Sequence, residues 1–401
     1  MLSWDKTPAL TTLRCCRAWV EIDLAALQHN VQQLTHHLRG QTALMAVVKA
    51  DAYGHGAVTI AQAALAAGAQ WLGVATVPEG VELRQAGIQA PILVMGAVNS
   101  REEMGAIAHW QLQPTLVSPK QALVFSEGLA QTQRPVLPVH LKLDTGMSRL
   151  GFPWQQAQEF VQFVQRLPHL QVASIYSHLA TADDVDPTVL HQQHRRFQSA
   201  IAQISVQCAP LPRLHLANSA ATLAFPDLHY DMVRVGLALY GLYPAPHLES
   251  TLSLRPVMQV KARITHLKEI QAGTGVSYGH QFVAPHPMRL AVVGIGYADG
   301  VPRALSNQMS VLVNGQSAAQ VGAITMDQLM IDVTTIPDLQ EGTLVTLLGT
   351  SGEHQITADH WAMQTGTISW EILCGFKHRL PRIIINQSSS QVSQAEPLDR
   401  R

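Results

Sequence analysis

Apolar residues in the first part of the chain follow two patterns in turn. The first is helical, because apolar positions recur every three or four residues from Leu24 to Leu38, after Asp23 as a helix cap. The second is the unbroken apolar run Ala43 to Val48, which is too short for a helix and has no polar face. This order predicts an amphipathic helix followed by a strand that is covered on both sides.

Seven further apolar runs continue this alternation, with helical patterns such as 154–167 between them. The seven runs are 71–76, 92–95, 115–117, 139–143, 172–177, 213–217 and 232–235. Eight strand and helix units over roughly 220 residues match a (β/α)8 barrel of the TIM type in number and size. The fold class predicted for this part is therefore α/β.

The pattern changes after Pro256. From Met258 to Thr265 apolar and polar residues alternate, which is typical of a half-buried antiparallel strand. Four more strand-like runs follow, and Asn314-Gly315 is a hairpin turn signal. We therefore expect a barrel over residues 1–255, a mainly β C-terminal domain over 256–385, and a disordered polar tail over 386–401.

Composition narrows the class of protein. The 401 residues exceed what one core usually serves, and no apolar run approaches the ~20 residues of a membrane-spanning helix. The start lacks the features of a signal peptide, so we expect a cytoplasmic protein without a membrane partner. A net charge of -1 without a basic run argues against nucleic acid as a partner. Four cysteines without CxxC spacing and scattered histidines predict no metal site.

Unusual polar residues stand where the predicted barrel strands end. Lys49 ends the first strand, Arg149 follows the fifth, and His178 ends the sixth. Such strand ends carry the reactive groups of (β/α)8 barrels. A lysine leaving a buried strand is partly desolvated, which favours the neutral amine that a Schiff base needs. The alternative for a single lysine of this kind is a side chain that reaches from the rim into water.

The last two predicted strands end in groups that suit a phosphate. Asn218-Ser219 follows the seventh strand and offers a hydroxyl. The backbone amides near Gly236 and Leu237, after Arg234 in the eighth strand, let an anion approach closely. A lysine that forms a Schiff base beside a phosphate site indicates pyridoxal phosphate (PLP).

Eight motifs in order along most of the chain resemble the alanine racemases, which are PLP enzymes of fold type III. Ala46–Gly56 (AVVKADAYGHG) is similar to the PLP-attachment motif of this family. The other seven motifs are 141–151, 176–183, 218–219, 232–236, 275–279, 296–300 and 326–328. They cover both predicted domains.

The resemblance implies roles around the cofactor. Lys49 would carry PLP covalently, His178 would lie against the pyridine ring, and Arg234 would donate to the pyridine nitrogen. The remaining implied cofactor-binding residues, most of them at the phosphate, are Tyr53, Asn218, Ser219, Gly236 and Leu237.

The resemblance also implies the groups that act on substrate. Arg149 would bind near the carboxylate of a small amino acid, and Met326 would offer its backbone. Lys142 matches a lysine that many family members carbamylate. Racemisation needs an acid/base on each face of a flat carbanion, so Lys49 would serve one face and Tyr278 the other. In this family the tyrosine comes from the partner subunit, which implies a homodimer with shared sites.

The access channel implied by the resemblance includes two departures from the family pattern. Trp370 stands where the family usually has a tyrosine that touches the phosphate. Ala323 stands where an arginine often lines the channel. The channel residues expected from the resemblance are Asp183, Tyr297, Arg303 and Trp370.

The sequence therefore favours an isomerase that interconverts L- and D-alanine and supplies D-alanine for peptidoglycan. A broader serine or general amino-acid racemase is the first alternative, because both departures lie at the entrance. A single-barrel PLP-carrier protein would lack the second domain and Tyr278. A decarboxylase of related fold would use a cysteine acid and other motifs.

Overall fold

The computed structural model describes residues 17–130, 135–206, 208–376 and 378–386. Two compact units divide the chain. Described residues 26–52 and 56–255 form the barrel unit, and residues 17–25, 53–55 and those from 256 onward form the second unit. Beyond Asn386, the polar tail expected over 386–401 lies outside the described residues.

The barrel unit contains eight parallel strands with helices between them. The strands are Ala43–Val47, Trp71–Val74, Ile92–Ala97, Gln113–Leu116, Leu137–Asp144, Leu170–Tyr176, Arg213–His215 and Met232–Val235. Seven ladders, all parallel, join them in a row that begins with the last strand and ends with Arg213–His215. The amides of Asp231 and Arg234 donate to the carbonyls of Leu214 and Ala217 at 3.1 and 3.0 Å, so the barrel is nearly closed. The predicted fold class is confirmed.

Helices cover the outside of the barrel strands. The predicted apolar stripe of the first helix is buried, since Leu27, Val31 and Leu34 have no exposed surface. Side-chain caps start later helices, as where Ser100 accepts a hydrogen bond from the Glu103 amide at 3.1 Å. Besides the short helical turn Lys49–Gly54, the helices are Leu24–His37, Ala57–Ala67, Val77–Gln85, Arg101–His109, Pro119–Ala130, Ala157–Gln165, Thr188–Ser205 and Ser219–Ala224.

The second unit is mainly β, as predicted. Its long strand Met258–Ile270 pairs antiparallel with three neighbours. The predicted Asn314-Gly315 hairpin is present, with φ angles of 49° and 77° that fit a two-residue type I′ turn. The other strands are Gly275–Val276, Phe282–Val283, Met288–Val293, Ser310–Val313, Gln316–Ala319, Leu329–Asp332, Leu344–Ser351, His354–Ile356 and Arg382–Ile385, and the helices are Ala358–Thr365 and Ser369–Gly375.

The start of the chain differs from the expected barrel domain of residues 1–255. Strand Ala18–Asp23 pairs antiparallel with Met258–Ile270 and parallel with Arg382–Ile385, so it belongs to the sheet of the second unit. Its alternate residues Val20 and Ile22 are fully buried there. The physical reason is that a single short strand needs partners, and these partners lie far along the chain.

No helix among the described residues is long and apolar enough to cross a membrane. Within the same residues, no three or more His, Cys, Asp or Glu side chains gather in a group that could hold a metal ion.

Candidate active site

Lys49 is the first residue of a left-handed helical turn. In the turn Lys49–Gly54, residues 50–53 have φ angles of 53°, 52°, 53° and 55°. Each such L-residue costs about 1–2 kcal/mol relative to the right-handed form. A stretch of this kind persists only where its surroundings hold it, which is typical of functional sites.

Hydrogen bonds within the barrel unit hold the first part of this turn. The Ala50 amide donates to Oε1 of Glu79 at 2.8 Å, and Oδ1 of Asp51 accepts from the Ala57 amide at 2.8 Å. The Ala52 amide donates to the Val48 carbonyl at 2.9 Å. Lys49 is therefore presented from a rigid strand end.

The last part of the turn is anchored in the second unit. Arg382 donates to the Gly54 carbonyl from Nε at 3.0 Å and from Nη2 at 2.8 Å. Gly54 has a φ of +81°, and a Cβ there would lie 2.6 Å from the Leu373 carbonyl oxygen. Tyr53 is buried, and desolvation raises the pKa of its hydroxyl, so this group is a hydrogen-bond donor at neutral pH.

Cationic groups gather at the carboxyl ends of the barrel strands. Burial, as the largest cause, and the charges of Arg234, Arg149 and Lys49 lower the pKa of Lys142 to about 8 against the opposing effect of Asp144. Burial and the same charged neighbours lower the pKa of His178 well below its usual value. An excess of positive charge around a neutral imidazole predicts an anionic ligand.

Arg234 is buried among acceptors. Its Nη2 donates to the Ser177 carbonyl at 2.8 Å, to the Leu216 carbonyl at 3.2 Å and to Nδ1 of His178 at 3.1 Å. Its Nη1 donates to Nδ1 of His215 at 3.0 Å. Burial lowers its pKa to about 10, which leaves the guanidinium charged at neutral pH. Nε of Arg234 makes no hydrogen bond to any described residue, so this donor suits a ligand atom such as a pyridine nitrogen.

Ser219 and the backbone after the last barrel strand form a site that suits a phosphate. Oγ of Ser219 accepts hydrogen bonds from the amides of Gly236 at 3.0 Å and Ala238 at 3.4 Å. The hydroxyl hydrogen is thereby directed to another acceptor. Asn218 caps the following helix, where its side chain accepts from the Ala221 amide at 3.1 Å. These groups fit a phosphate monoester at the expected place, with Leu237 buried beside them.

Tyr278 lies on a shaped loop of the second unit. Ser277 and His280 have φ angles of 63° and 45°, and Oγ of Ser277 donates to the Ala323 carbonyl at 2.7 Å. A Cβ at Gly275 would lie 2.3 Å from the His280 ring, so only glycine fits there. The Tyr278 side chain is 74% exposed. Tyr278 is therefore not a core aromatic of this chain.

The chain matches two family models in succession. The model for the alanine racemase N-terminal domain matches residues 22–244, and the model for the C-terminal domain matches residues 257–384. The chain belongs to the alanine racemase family. An alanine racemase of Nostoc sp. is 70% identical over 368 residues, which cover 92% of this chain and 95% of that relative.

Solved alanine racemases share the fold over nearly the whole chain. The enzyme of Clostridium difficile has a TM-score of 0.87 at 34% identity, covering 92% of this chain and 96% of its own. An alanine racemase of Bartonella henselae with covalently bound pyridoxal phosphate has a TM-score of 0.82 at 31% identity, covering 92% of this chain and 99% of its own.

The residues expected at the active site are distributed over both units. The structure brings Lys49, Lys142, Arg149, His178 and Arg234 close enough for their charges to interact within the barrel unit. Also in that unit are Asp183, Asn218, Ser219, Gly236 and Leu237, whereas Tyr53, Tyr278, Tyr297, Arg303, Met326 and Trp370 belong to the second.

The residues expected at the access channel differ in exposure. Asp183, Tyr297 and Arg303 are exposed, and Trp370 is half-buried in the helix Ser369–Gly375. The Ala323 side chain has no exposed surface in this chain.

Asp299 is a buried residue of the second unit that the sequence interpretation missed. It has no exposed surface and accepts two hydrogen bonds of 2.7 Å from Arg17. Its Oδ2 also accepts from the Gly296 amide at 3.0 Å, which shapes the loop that carries Tyr297. The sequence did offer a signal, because Asp299 lies between two glycines in the motif 296–300. Its role becomes clear only when its partner, Arg17, is known.

Proposed function

We propose that this protein interconverts L- and D-alanine with PLP, and that the D-alanine it forms supplies peptidoglycan. The observation that carries the proposal is the cluster of Lys49, His178 and Arg234 at the strand ends of a barrel, next to the Ser219 phosphate site. Membership of the alanine racemase family supports the same activity. The cytoplasmic location stays a prediction from the sequence.

Named residues of this chain would hold the cofactor. Lys49 would bind it covalently, and Nε of Arg234 would donate to its pyridine nitrogen. Ser219, Asn218 and the amides of Gly236 and Leu237 would hold the phosphate, with the Tyr53 hydroxyl as a further donor. Bound PLP withdraws electrons from the Cα–H bond of the amino acid and so makes that hydrogen acidic.

Two bases then exchange the hydrogen at Cα. Nζ of Lys49 would leave the cofactor when the amino group of the substrate takes its place there. As a free neutral amine it would then remove the Cα hydrogen as a proton from one face and leave the electron pair on carbon. The hydroxyl of Tyr278 delivers a proton to the opposite face, which inverts the configuration, and the reverse reaction exchanges the roles.

We propose a head-to-tail homodimer in which Tyr278 completes the partner's site. The support is the 74% exposure of this side chain on a strained loop. An exposed aromatic side chain that is held in place is suited to be buried against a partner subunit. A hybrid of an inactive Lys49 variant and an inactive Tyr278 variant has one composite site with both bases. Activity should return after subunit exchange, and its absence after proven exchange would show that Tyr278 acts within its own chain.

Arg149 would bind near the substrate carboxylate, and Met326 would offer its backbone to the substrate. Lys142 would carry a carbamate that orients Arg149. Carbamylation joins an unprotonated amine to CO2 and releases one proton. The pKa of Lys142, lowered to about 8, leaves a larger unprotonated fraction at neutral pH than an ordinary lysine has. Intact mass and peptide mapping in the presence and absence of bicarbonate should show one CO2 on Lys142, and an unmodified lysine in both would refute the carbamate.

The deciding experiment is a chiral assay of the purified protein with L-alanine, with borohydride trapping in parallel. We expect D-alanine to form and the trapped cofactor to map to Lys49. Label on another lysine, or no D-alanine from PLP-loaded protein, would overturn the proposal. Turnover of serine and lysine in the same assay tests the broader racemase, and the matched C-terminal domain at 257–384 argues against a single-barrel carrier.

A further inference from the structure

A line of polar side chains crosses the barrel between five of its strands, and we call it the core relay. Nη1 of Arg234 lies 3.0 Å from Nδ1 of His215, and Nε2 of His215 lies 2.7 Å from Oγ of Ser174. Oγ of Ser174 lies 2.6 Å from Nδ1 of His140, and Nε2 of His140 lies 2.7 Å from Oε1 of Gln113. His140 and His215 have no exposed surface, and Ser174 is 1% exposed.

The Arg234 end fixes the hydrogen positions on His215. A guanidinium has no acceptor, so Nδ1 of His215 must be the acceptor and cannot carry a hydrogen. His215 is therefore neutral with its hydrogen on Nε2, which donates to Ser174. Desolvation and the Arg234 charge also lower the pKa of His215, in agreement with this assignment.

The Gln113 end fixes the hydrogen positions on His140 and Ser174. The amide oxygen of Gln113 is an acceptor, so His140 carries its hydrogen on Nε2 and accepts at Nδ1. Burial lowers the pKa of His140 to about 3, which keeps the second hydrogen off this ring. The Ser174 hydroxyl must then accept from His215 and donate to His140. Every donor in the core relay points away from Arg234.

The Tyr176 ring also restricts the orientation of His215 and Arg234. The Tyr176 ring stacks on His215 with centroids 4.6 Å apart and planes 8° apart, and Cζ of Arg234 lies 5.1 Å from the Tyr176 centroid. The Tyr176 hydroxyl is hydrogen-bonded to Oγ1 of Thr115 at 2.7 Å. His215 thus has one ring plane as well as one tautomer.

We propose that His215, Ser174, His140 and Gln113 are positioning residues that lock the guanidinium of Arg234 in one orientation and keep His215 as its permanent acceptor. This inference rests on the proposed function, because Arg234 is assigned there to the pyridine nitrogen. The relay makes the placement of Arg234 depend on Ser174 and His140, which do not contact it. Because His215 always faces Arg234 with a lone pair, it cannot deliver a proton toward the cofactor.

Histidine ¹⁵N NMR of the cofactor-free and PLP-bound protein tests the hydrogen positions directly. We expect both His140 and His215 to be neutral, with hydrogen on Nε2, with signals assigned from His140→Asn and His215→Asn. A hydrogen on Nδ1 of His215, or a charged ring, would overturn the proposal. The measurement on cofactor-free protein is independent of catalysis, so it stands even if the proposed activity fails.

Interrupting the relay at Ser174 tests its effect on Arg234. Ser174→Ala leaves both histidines without their shared partner, and we expect PLP to bind about tenfold more weakly, or ~1.4 kcal/mol. Ser174→Thr keeps the hydroxyl and should restore binding to within about twofold. The matched control is Thr346→Val, which removes a buried hydroxyl that accepts from Lys261 at 3.0 Å in the second unit and should leave PLP affinity unchanged.

Equal PLP affinity in Ser174→Ala and the unaltered protein would overturn the positioning role. So would an equal loss in Ser174→Thr, because that pattern follows from disturbed packing rather than from a lost hydroxyl. Failure of the unaltered protein to bind PLP would instead refute the proposed function, and the NMR assignment would still decide the relay.

Discussion

The two units carry opposite kinds of chemistry. In the barrel unit the candidate groups Lys142, His178 and Arg234 are enclosed. Burial lowers the pKa values of all three, and neighbouring positive charges also lower those of Lys142 and His178. In the second unit Tyr278 and Met326 are exposed, at 74% and 53%. The candidate groups of the barrel unit are therefore enclosed within that unit, whereas those of the second unit are exposed to solvent.

This difference teaches that rigidity and burial are separate properties of a site. The Tyr278 loop is as constrained as the barrel strand ends, because Ser277 and Gly279 hold positive φ angles of 63° and 70° and Gly275 allows no side chain. A loop that is rigid and yet exposed is suited to complete a site on another copy of the chain.

Removing Lys49 should have the largest effect. Lys49→Ala should abolish racemisation in both directions, because it deletes the covalent anchor and one base together. A chiral assay at saturating PLP measures it, with the exposed Lys268→Ala as control. Activity of Lys49→Ala near that of the control would refute the assignment of the anchor.

Changing Tyr278 should affect one face only. Tyr278→Phe should slow deuterium exchange at Cα of one enantiomer by about 10²–10⁴ and that of the other much less, because one base remains. Exchange with each enantiomer separately is the measurement, and Val283→Ala on the paired strand is the control. Equal losses for both enantiomers, in an intact dimer, would count against two bases.

Acid should destabilise the barrel unit more than the second unit. Among the described residues, the histidines with a lowered pKa all lie in the barrel unit, and burial is the largest cause for each. Such a histidine takes its proton first in the unfolded chain, near pH ~6.5, so stability is retained above that pH and lost as the pH falls below it. Each fully buried ring should contribute up to ~1.4 kcal/mol per pH unit.

Hydrogen exchange at about pH 7 and about pH 5 measures this difference, because protection reports opening free energy for each unit. Protection should fall in the barrel strands and change little in the sheet around Met258–Ile270. His140→Asn, which removes one such ring, should flatten the dependence. Parallel losses in both units would contradict the expectation.

Trp370 should give the smallest effect. Indole offers one donor and no acceptor, whereas the tyrosine usual in the family offers a hydroxyl. Trp370→Tyr should tighten PLP by up to ~1.5–3 kcal/mol, the worth of one hydrogen bond to a charged group, without changing the reaction. PLP dissociation constants decide it, with Trp154→Tyr as control, and tighter binding by the tryptophan form would sink the idea.

The sequence was sufficient where the local pattern is strong. All eight barrel strands were recognised because strands covered on both faces are continuous apolar runs. Their ends then located Lys49, His178 and Arg234, since strand ends carry the chemistry of this fold.

The remaining features depend on partners far apart in the chain. Strand Ala18–Asp23 pairs with segments that begin at Met258 and Arg382, which no local pattern reveals. The links from Arg234 to His140 need the barrel to be closed before they can be seen. The left-handed turn at 50–53 has no local signal either, because alanine, aspartate and tyrosine do not prefer that conformation.

The left-handed turn at 50–53 places L-residues in a backbone conformation that suits D-residues better. Among the described residues, only 50–53 form a run of four non-glycine residues at positive φ, so L-alanine at positions 50 and 52 is held in the backbone region that D-alanine prefers. A semisynthetic chain with D-alanine at both positions would have each residue in its favoured region and would relieve about 1–2 kcal/mol per residue. On backbone preference alone, D-alanine at these two positions is therefore favoured over the L-residues that translation supplies.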